Sequence, residues 1–375
     1  MKKIRLGVAG CGAGVTMFGP ALSSHDDAEV VAWMDPLREK AEKAAEAYGG
    51  AVYIDYTDFI RHGGLDAVII ASPVWLHLQH VREAAAAGKH VLCEKPMARN
   101  VSECKSVIES CRDSNVVLMV GLMKRFDPAF LLVKQMIDAG QLGEVFEISS
   151  DWSWPQYFLS GWRDTARCQG GLLQDHGSHT IDLARWWVGD IETVSASVRI
   201  LLEDRQVEDY AHVVCQHTGG CVSIHHNSRM THRPMCECYR IEGTKGTLTV
   251  ECKGQWSFHL IYPFTVKLYR NTDGINSTCK DISPQPNRTM NEQLRYEYRY
   301  SGELRYFLDC VLQNKAPVYC NGQDGLAAIE TINASYISAQ ENRVVTLPLK
   351  MDYDIEKVFS ILSKQRRISA SVEHQ

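Results

Sequence analysis

Asp175 and His179 stand four residues apart at the head of an amphipathic pattern that predicts a helix over His176–Trp187. On a helix that spacing puts a carboxylate and an imidazole on one face. Such a pair suits removal of an alcohol proton as hydride leaves the carbon, because imidazole titrates near neutral pH. Lys95 is a second candidate. It follows the apolar run His90–Cys93 in the string Glu94-Lys95-Pro96, and an ammonium at the C-terminal end of a buried strand can donate to a substrate oxygen. Plainer readings stand beside these: Asp175 as a helix N-cap, Lys95 as a solvated strand-end charge, and His176 as a wall residue.

Gly10-Cys11-Gly12-Ala13-Gly14-Val15 follows directly on the strand-like run Ile4–Ala9. A glycine turn between a strand and a helix lets backbone N–H groups approach a pyrophosphate, and the helix dipole favours the anion. Gly10 and Gly12 fill the first two positions of a dinucleotide fingerprint, while Gly14 comes one residue early and Val15 takes the third. Asp35, at the end of the next apolar run, fits the carboxylate that accepts from the ribose hydroxyls of NAD. Its charge disfavours the extra phosphate of NADP, and Arg38 nearby softens that preference. A turn residue before Pro36 is the alternative reading.

Other clusters carry less. Asp175, His176, His179 and Asp182, or Cys236-Glu237-Cys238, suggest metal ligands, but strand neighbours two apart do not close a tetrahedral site alone. No metal is expected. His225 and His226 point to opposite faces of a strand. Asp151-Trp152-Ser153-Trp154 and Gly161-Trp162-Arg163 offer aromatic faces for sugar C–H surfaces and a donor for hydroxyls. Trp152 and Trp154, at strand period, equally suit a core or a subunit interface. Tyr296, Tyr298 and Tyr300 suit either closure of a pocket or assembly.

The elements that hold these residues fall into two groups. Up to about Phe126, the continuous apolar runs Ile4–Ala9, Glu29–Met34, Ala67–Ala71, His90–Cys93 and Val116–Gly121 alternate with helical stretches such as Pro36–Tyr48 and Leu76–Ala87. That pattern implies a parallel sheet covered on both faces. From about Glu144 most segments alternate apolar and polar: Thr193–Leu201, Tyr210–Gln216, Cys221–His226 and Gly246–Cys252. They imply a mostly antiparallel sheet open on one face, with a hairpin through Thr218-Gly219-Gly220. Helical patterns lie over Glu297–Leu312 and over Gly325–Gln340, the latter free to pack on either domain. The boundaries expected are 1–126 and 127–375.

At 375 residues, with 45% apolar and 23% charged residues, the chain has material for two cores. The net charge of −5 and the absence of a basic cluster argue against nucleic-acid and anionic-membrane partners. The 13 cysteines are odd in number and scattered, and no secretory signal is read at the start, so free thiols and a cytoplasmic location are expected.

The chain resembles the glucose–fructose oxidoreductase/inositol dehydrogenase family (Gfo/Idh/MocA). The resemblance rests on the glycine turn, Ser72-Pro73 with His77, Gly88–Pro96, Arg125-Phe126, Gly140–Val145, Gly170–Trp187 and Asp324–Leu347. Val15 replaces the last fingerprint glycine, and Trp75 stands where the family often has asparagine. The resemblance implies an N-terminal Rossmann domain followed by an α/β domain whose large open sheet forms homodimers or homotetramers. It implies catalytic roles for Lys95, Asp175 and His179, with His179 the general acid/base. Gly10, Cys11, Gly12, Ala13, Gly14, Val15, Asp35, Ser72, Pro73, His77, Glu94, Lys95 and Arg125 are expected around NAD, with NADP possible. Trp154, Trp162, Arg163 and His176 are expected around a sugar, glycoside or cyclitol. The expected reaction turns a secondary hydroxyl into a ketone, giving a 3-keto sugar or glycoside first and an inosose second. A non-catalytic NAD- or sugar-sensing regulator on the same fold is the rival reading, and it would not need Lys95, Asp175 and His179 together.

Overall fold

The apolar run Ile4–Ala9 forms β1, the middle of a six-stranded parallel sheet. The computed structural model describes residues 3–23, 25–155, 165–202, 205–252, 264–272, 276–284, 292–350 and 352–372. After β1 come α1 (Ala13–Leu22), β2 (Ala28–Met34), α2 (Arg38–Tyr48), β3 (Ala51–Tyr53), α3 (Tyr56–Ile60), β4 (Ala67–Ile70), α4 (His77–Ala86), β5 (His90–Glu94), α5 (Val101–Asp113) and β6 (Leu118–Gly121). The strand order is β3-β2-β1-β4-β5-β6 with every pair parallel. This is the doubly wound order, whose ligand crevice opens at the strand C-termini where the order reverses, between β1 and β4. Leu6, Val8, Val68, Ile69, Val91 and Leu92 are fully buried, as a sheet covered on both faces requires.

The chain divides into two units, Met1–Phe126 with Gln293–Ile329 and Asp127–Glu292 with Glu330–Gln375. The expected boundaries are 1–126 and 127–375, with the late helix over Gly325–Gln340 free to pack on either domain. The structure instead places Gln293–Ile329 with the first, and side chains show why. In α8 (Glu292–Gln313), Arg305 pairs with Asp27 at 2.7 Å and Tyr300 meets Phe18 edge-on at 4.9 Å. Further along, Asp324 pairs with the buried Arg125 at 3.2 Å.

The second unit is built on a nine-stranded sheet. Its elements are α6 (Pro128–Asp138), β7 (Val145–Pro155), α7 (Ser178–Val188), β8 (Ile191–Arg199), β9 (Tyr210–His217), β10 (Val222–Thr231), β11 (Cys236–Gly243), β12 (Gly246–Cys252), β13 (Thr265–Asn271), β14 (Ser277–Asp281), the end of α9 (Gly322–Glu341), β15 (Val345–Thr346) and α10 (Ile355–Val372). The order is β14-β13-β12-β11-β7-β10-β9-β8-β15, antiparallel except for β7 with β10. Phe130 and Val133 of α6 and Leu183 and Trp187 of α7 pack on Ile148, Tyr239, Ile241 and Leu248 in one core. Those sheet residues sit at every second position, so their neighbours in sequence face the opposite side. Thirteen cysteines are all free thiols, nine of them buried. Among the described residues, no helix is long and apolar enough to cross a membrane.

Candidate active site

In the first unit the glycine turn sits at the crevice. Gly10 has φ +102°, and a Cβ there would lie 2.5 Å from the Ala71 carbonyl oxygen and 2.7 Å from the Ser72 nitrogen. Glycine is needed at this position both for the dihedral and for the close approach of the β1 and β4 ends. Gly12 differs: a Cβ would meet nothing within 4 Å. Packing leaves open space above Gly12, which is what a bound pyrophosphate requires. Gly12 also begins α1 without a side-chain cap, whereas Asn100 caps α5 by accepting from Glu103. Ala13 and Gly14 open the helix, followed by Val15. These features fit a dinucleotide.

Asp35 ties the turn to the end of β2. One carboxylate oxygen accepts from the Cys11 N–H and the other from the Leu37 N–H, both at 2.9 Å. Burial, then the Asp35 charge, pushes the Cys11 thiol up to about 12, so it stays neutral. At the end of β5, Glu94 accepts from the Lys95 N–H at 3.0 Å, and the Lys95–Pro96 peptide is cis. A Cβ on Gly121 would stand 3.1 Å from Glu94, so glycine there leaves room for the carboxylate.

Two residues expected around the cofactor are held by the protein's own groups. His77 is 1% exposed, and its ring nitrogens lie 2.7 Å from the Ser72 carbonyl and 2.9 Å from the Pro96 carbonyl. It braces the Ser72-Pro73 turn against the Lys95-Pro96 turn from beneath. Burial, partly offset by those carbonyls, lowers its pKa. Arg125 is equally buried, and its partner is Asp324. The Ser72 hydroxyl lies 3.0 Å from His80 Nδ1, and the His80 ring stacks on Tyr56. Sequence reasoning missed Glu303, a fully buried residue of α8. Burial, then the neighbouring Glu94, holds its carboxyl well above the usual carboxylate range.

In the second unit, the helix expected from His176 begins earlier and differently. Leu173–Gly177 forms a π-helical turn that runs into α7. The even i,i+4 face expected for Asp175 and His179 is therefore replaced by a widened turn before the helix, a feature frequent at functional sites. His179 is 4% exposed. Asp175 Oδ2 lies 3.6 Å from Arg229 Nη2 and 3.8 Å from His176 Nε2, ion-pair rather than hydrogen-bond distances. The Trp152 ring lies 4.5 Å from His176 and 5.9 Å from His179, and the Trp154 ring lies 4.7 Å from His176. His176 is thus held between two indoles, which supports the wall reading. Trp162 and Arg163 lie outside the described residues.

Glu208 sets the π turn in place. Its carboxylate accepts from the Gly171 N–H at 3.0 Å, the Leu173 N–H at 2.7 Å and the Tyr336 hydroxyl at 2.9 Å. Burial outweighs these bonds and raises its pKa to about 7. Neither Glu208 nor Arg229 was among the expected site residues. The missing signal for Arg229 is strand length: β10 continues past His226 to Thr231, and its alternation puts Arg229 on the face of His225. His225 itself is fully buried between Ser150 and Ser223, with its pKa lowered to about 3 by burial.

Residues 4–122 match the NAD-binding Rossmann fold of an oxidoreductase family, Gfo/Idh/MocA, and residues 134–347 match the C-terminal alpha/beta domain of the same family. The chain belongs to this family. Like other Gfo/Idh/MocA proteins it is an NAD(P)-dependent oxidoreductase with a Rossmann domain and a mostly antiparallel second domain. It is similar to an inositol 2-dehydrogenase of Rhizobium meliloti, 28% identical over 92% of this chain and 99% of that one. A solved dehydrogenase from Bordetella pertussis, in complex with NADH and UDP-GlcNAcA, is 27% identical, with a TM-score of 0.76 over 93% of this chain and 99% of that one. A levoglucosan dehydrogenase with NADH and levoglucosan shares the fold at 22% identity, with a TM-score of 0.81 over 93% of this chain and all of that one.

Proposed function

We propose that this Gfo/Idh/MocA protein oxidises a secondary hydroxyl of a sugar, glycoside or cyclitol to a ketone, with a 3-keto sugar or glycoside as first product class and an inosose as second. One observation carries the reading. In an NAD(P)-binding family, this chain packs His179 and His176 against the indoles of Trp152 and Trp154, with the partly exposed Asp175 carboxylate 3.8 Å from His176 on the turn that leads to His179. Indole faces suit the C–H surface of a ring, and the carboxylate–imidazole pair suits proton removal from its hydroxyl.

Bound NAD(P) supplies the hydride acceptor. The chain's own groups do the rest. The open space at Gly12 and the uncapped start of α1 receive the pyrophosphate. Asp35 receives the ribose hydroxyls and favours NAD over NADP. His179 takes the hydroxyl proton, and Asp175, with Arg229 behind it, orients the imidazole. Lys95 donates to a substrate oxygen. Trp152, Trp154 and His176, whose rings pack on one another, shield the reacting hydroxyl from water.

The test is absorbance of reduced nicotinamide with a panel of inositols, glucose and aryl glycosides, with and without an added keto-sugar acceptor. Turnover of at least one polyol is expected. No turnover of any, in protein shown to bind NAD, overturns the reading.

A further inference from the structure

Cys236 and Cys238 stand two apart on β11, so both thiols leave the strand on the same side. Glu237, Tyr239 and Ile241 take the other side and are buried, Tyr239 and Ile241 within the helix-covered core. In the ladder between β11 and β7, Cys238 is opposite Asp151 and Cys236 is opposite Ser153. Asp151, Cys236 and Cys238 each place one ligand-type atom within 4.8 Å of the others, and the two sulfurs are 3.6 Å apart. All three residues are partly exposed, which leaves an entry path.

We propose that Asp151, Cys236 and Cys238 bind a zinc ion on the side of the nine-stranded sheet turned away from its helix-covered core. Two thiolates on one tetrahedral zinc, with Zn–S bonds of about 2.3 Å, stand about 3.8 Å apart. The observed 3.6 Å needs only a small adjustment. A disulfide fits less well. Residues two apart in an extended strand have Cα atoms about 6.7 Å apart, at the outer limit of disulfide geometry. Charge also balances. Two thiolates and a carboxylate bring three negative charges, of which zinc offsets two. The third faces Arg233, whose Nη2 lies 3.3 Å from Asp151 Oδ2. Both thiol protons leave on binding, and a water fills the fourth position.

Sequence alone left this pair one ligand short. The third comes from β7, eighty-five residues before Cys236, through strand pairing. None of the three ligands belongs to the acid–base cluster, so this site stands apart from the proposed reaction.

The test uses untagged full-length protein equilibrated with zinc, passed through gel filtration, and assayed by mass spectrometry for metal. About one zinc per chain is expected, and cobalt(II) in its place should show a thiolate-to-metal charge-transfer band. Cys236→Ser and Cys238→Ser should each lose the metal and the band while keeping the NAD affinity of the parent. Cys279→Ser, an exposed thiol on β14, should keep both. Parent protein free of zinc, or zinc retained at full level in folded Cys236→Ser and Cys238→Ser, overturns the proposal.

Discussion

Arg229 Nη2 stands 3.6 Å from Asp175 Oδ2, so a buried guanidinium on β10 faces the carboxylate that precedes His179 on the π turn. A cation beside Asp175 favours the charged carboxylate and disfavours a proton on the neighbouring imidazole. Arg229→Met therefore moves the acidic limb of the pH profile of kcat/KM to higher pH, where Arg229→Lys moves it less. An unmoved limb in active Arg229→Met removes Arg229 from the proton chemistry.

Lys95→Ala and His179→Ala should each lower kcat by about 10²–10⁴-fold, the range for a positioned proton-transfer group. NAD affinity, read by tryptophan fluorescence quenching, should stay near that of the parent. Rates near the parent's in both variants reject the assigned roles.

The two glycines of the turn should separate stability from binding. Gly10→Ala meets the Ala71 carbonyl at 2.5 Å with φ at +102° and should cost more than about 1 kcal/mol in urea unfolding. Gly12→Ala meets open space and should leave the unfolding midpoint unchanged while weakening NAD binding. The opposite pattern would place Gly12 in the packing rather than at the cofactor.

Asp35→Ser should narrow the preference for NAD over NADP, measured as the ratio of kcat/KM values, because it removes the charge that repels the ribose phosphate. It should also cost about 1–3 kcal/mol of stability, since the buried Cys11 N–H loses its acceptor. An unchanged ratio would assign Asp35 to the turn alone.

Glu208 gives a pH-dependent stability. Its folded pKa of about 7 lies above its ordinary 4.5, with burial as the main cause. The folded state keeps this proton where the unfolded chain has released it. The contribution is therefore fully present below about pH 4.5 and falls as pH rises to about 7, by about 3 kcal/mol in all. Urea midpoints for Glu208→Gln should lose this part of the slope. A slope equal to the parent's would show that Glu208 is ionised throughout.

Much of the fold is legible because it is local. β1 and β12 cover the expected residues, and β2, β4, β5 and β6 differ from the expected runs by a residue or two at their ends, while the three-residue edge strand β3 is not among them. The hairpin between β9 and β10 follows from its glycines, with Gly220 at φ +85°. What was not legible depends on distant partners. The side-chain pattern before α7 fits an α-helix as well as a π turn, and the choice is made by Glu208, thirty-five residues after Leu173. Arg229 meets Asp175 because β10 runs on past His226 to Thr231, which brings its far end beside the π turn. The amphipathic pattern of α8 does not say which sheet it covers, and contacts such as Arg305 with Asp27 decide it.

Hydride transfer from a ring carbon is the claim on which the rest depends. Incubation of the protein and NAD with ring-deuterated inositol and ring-deuterated glucoside, followed by proton NMR of the nicotinamide, reads it directly. The account predicts deuterium at C4 of the reduced cofactor and a ketone on the polyol, both formed about 10²–10⁴-fold more slowly in His179→Ala. Reduced cofactor carrying only protium, or none formed from any polyol, contradicts it.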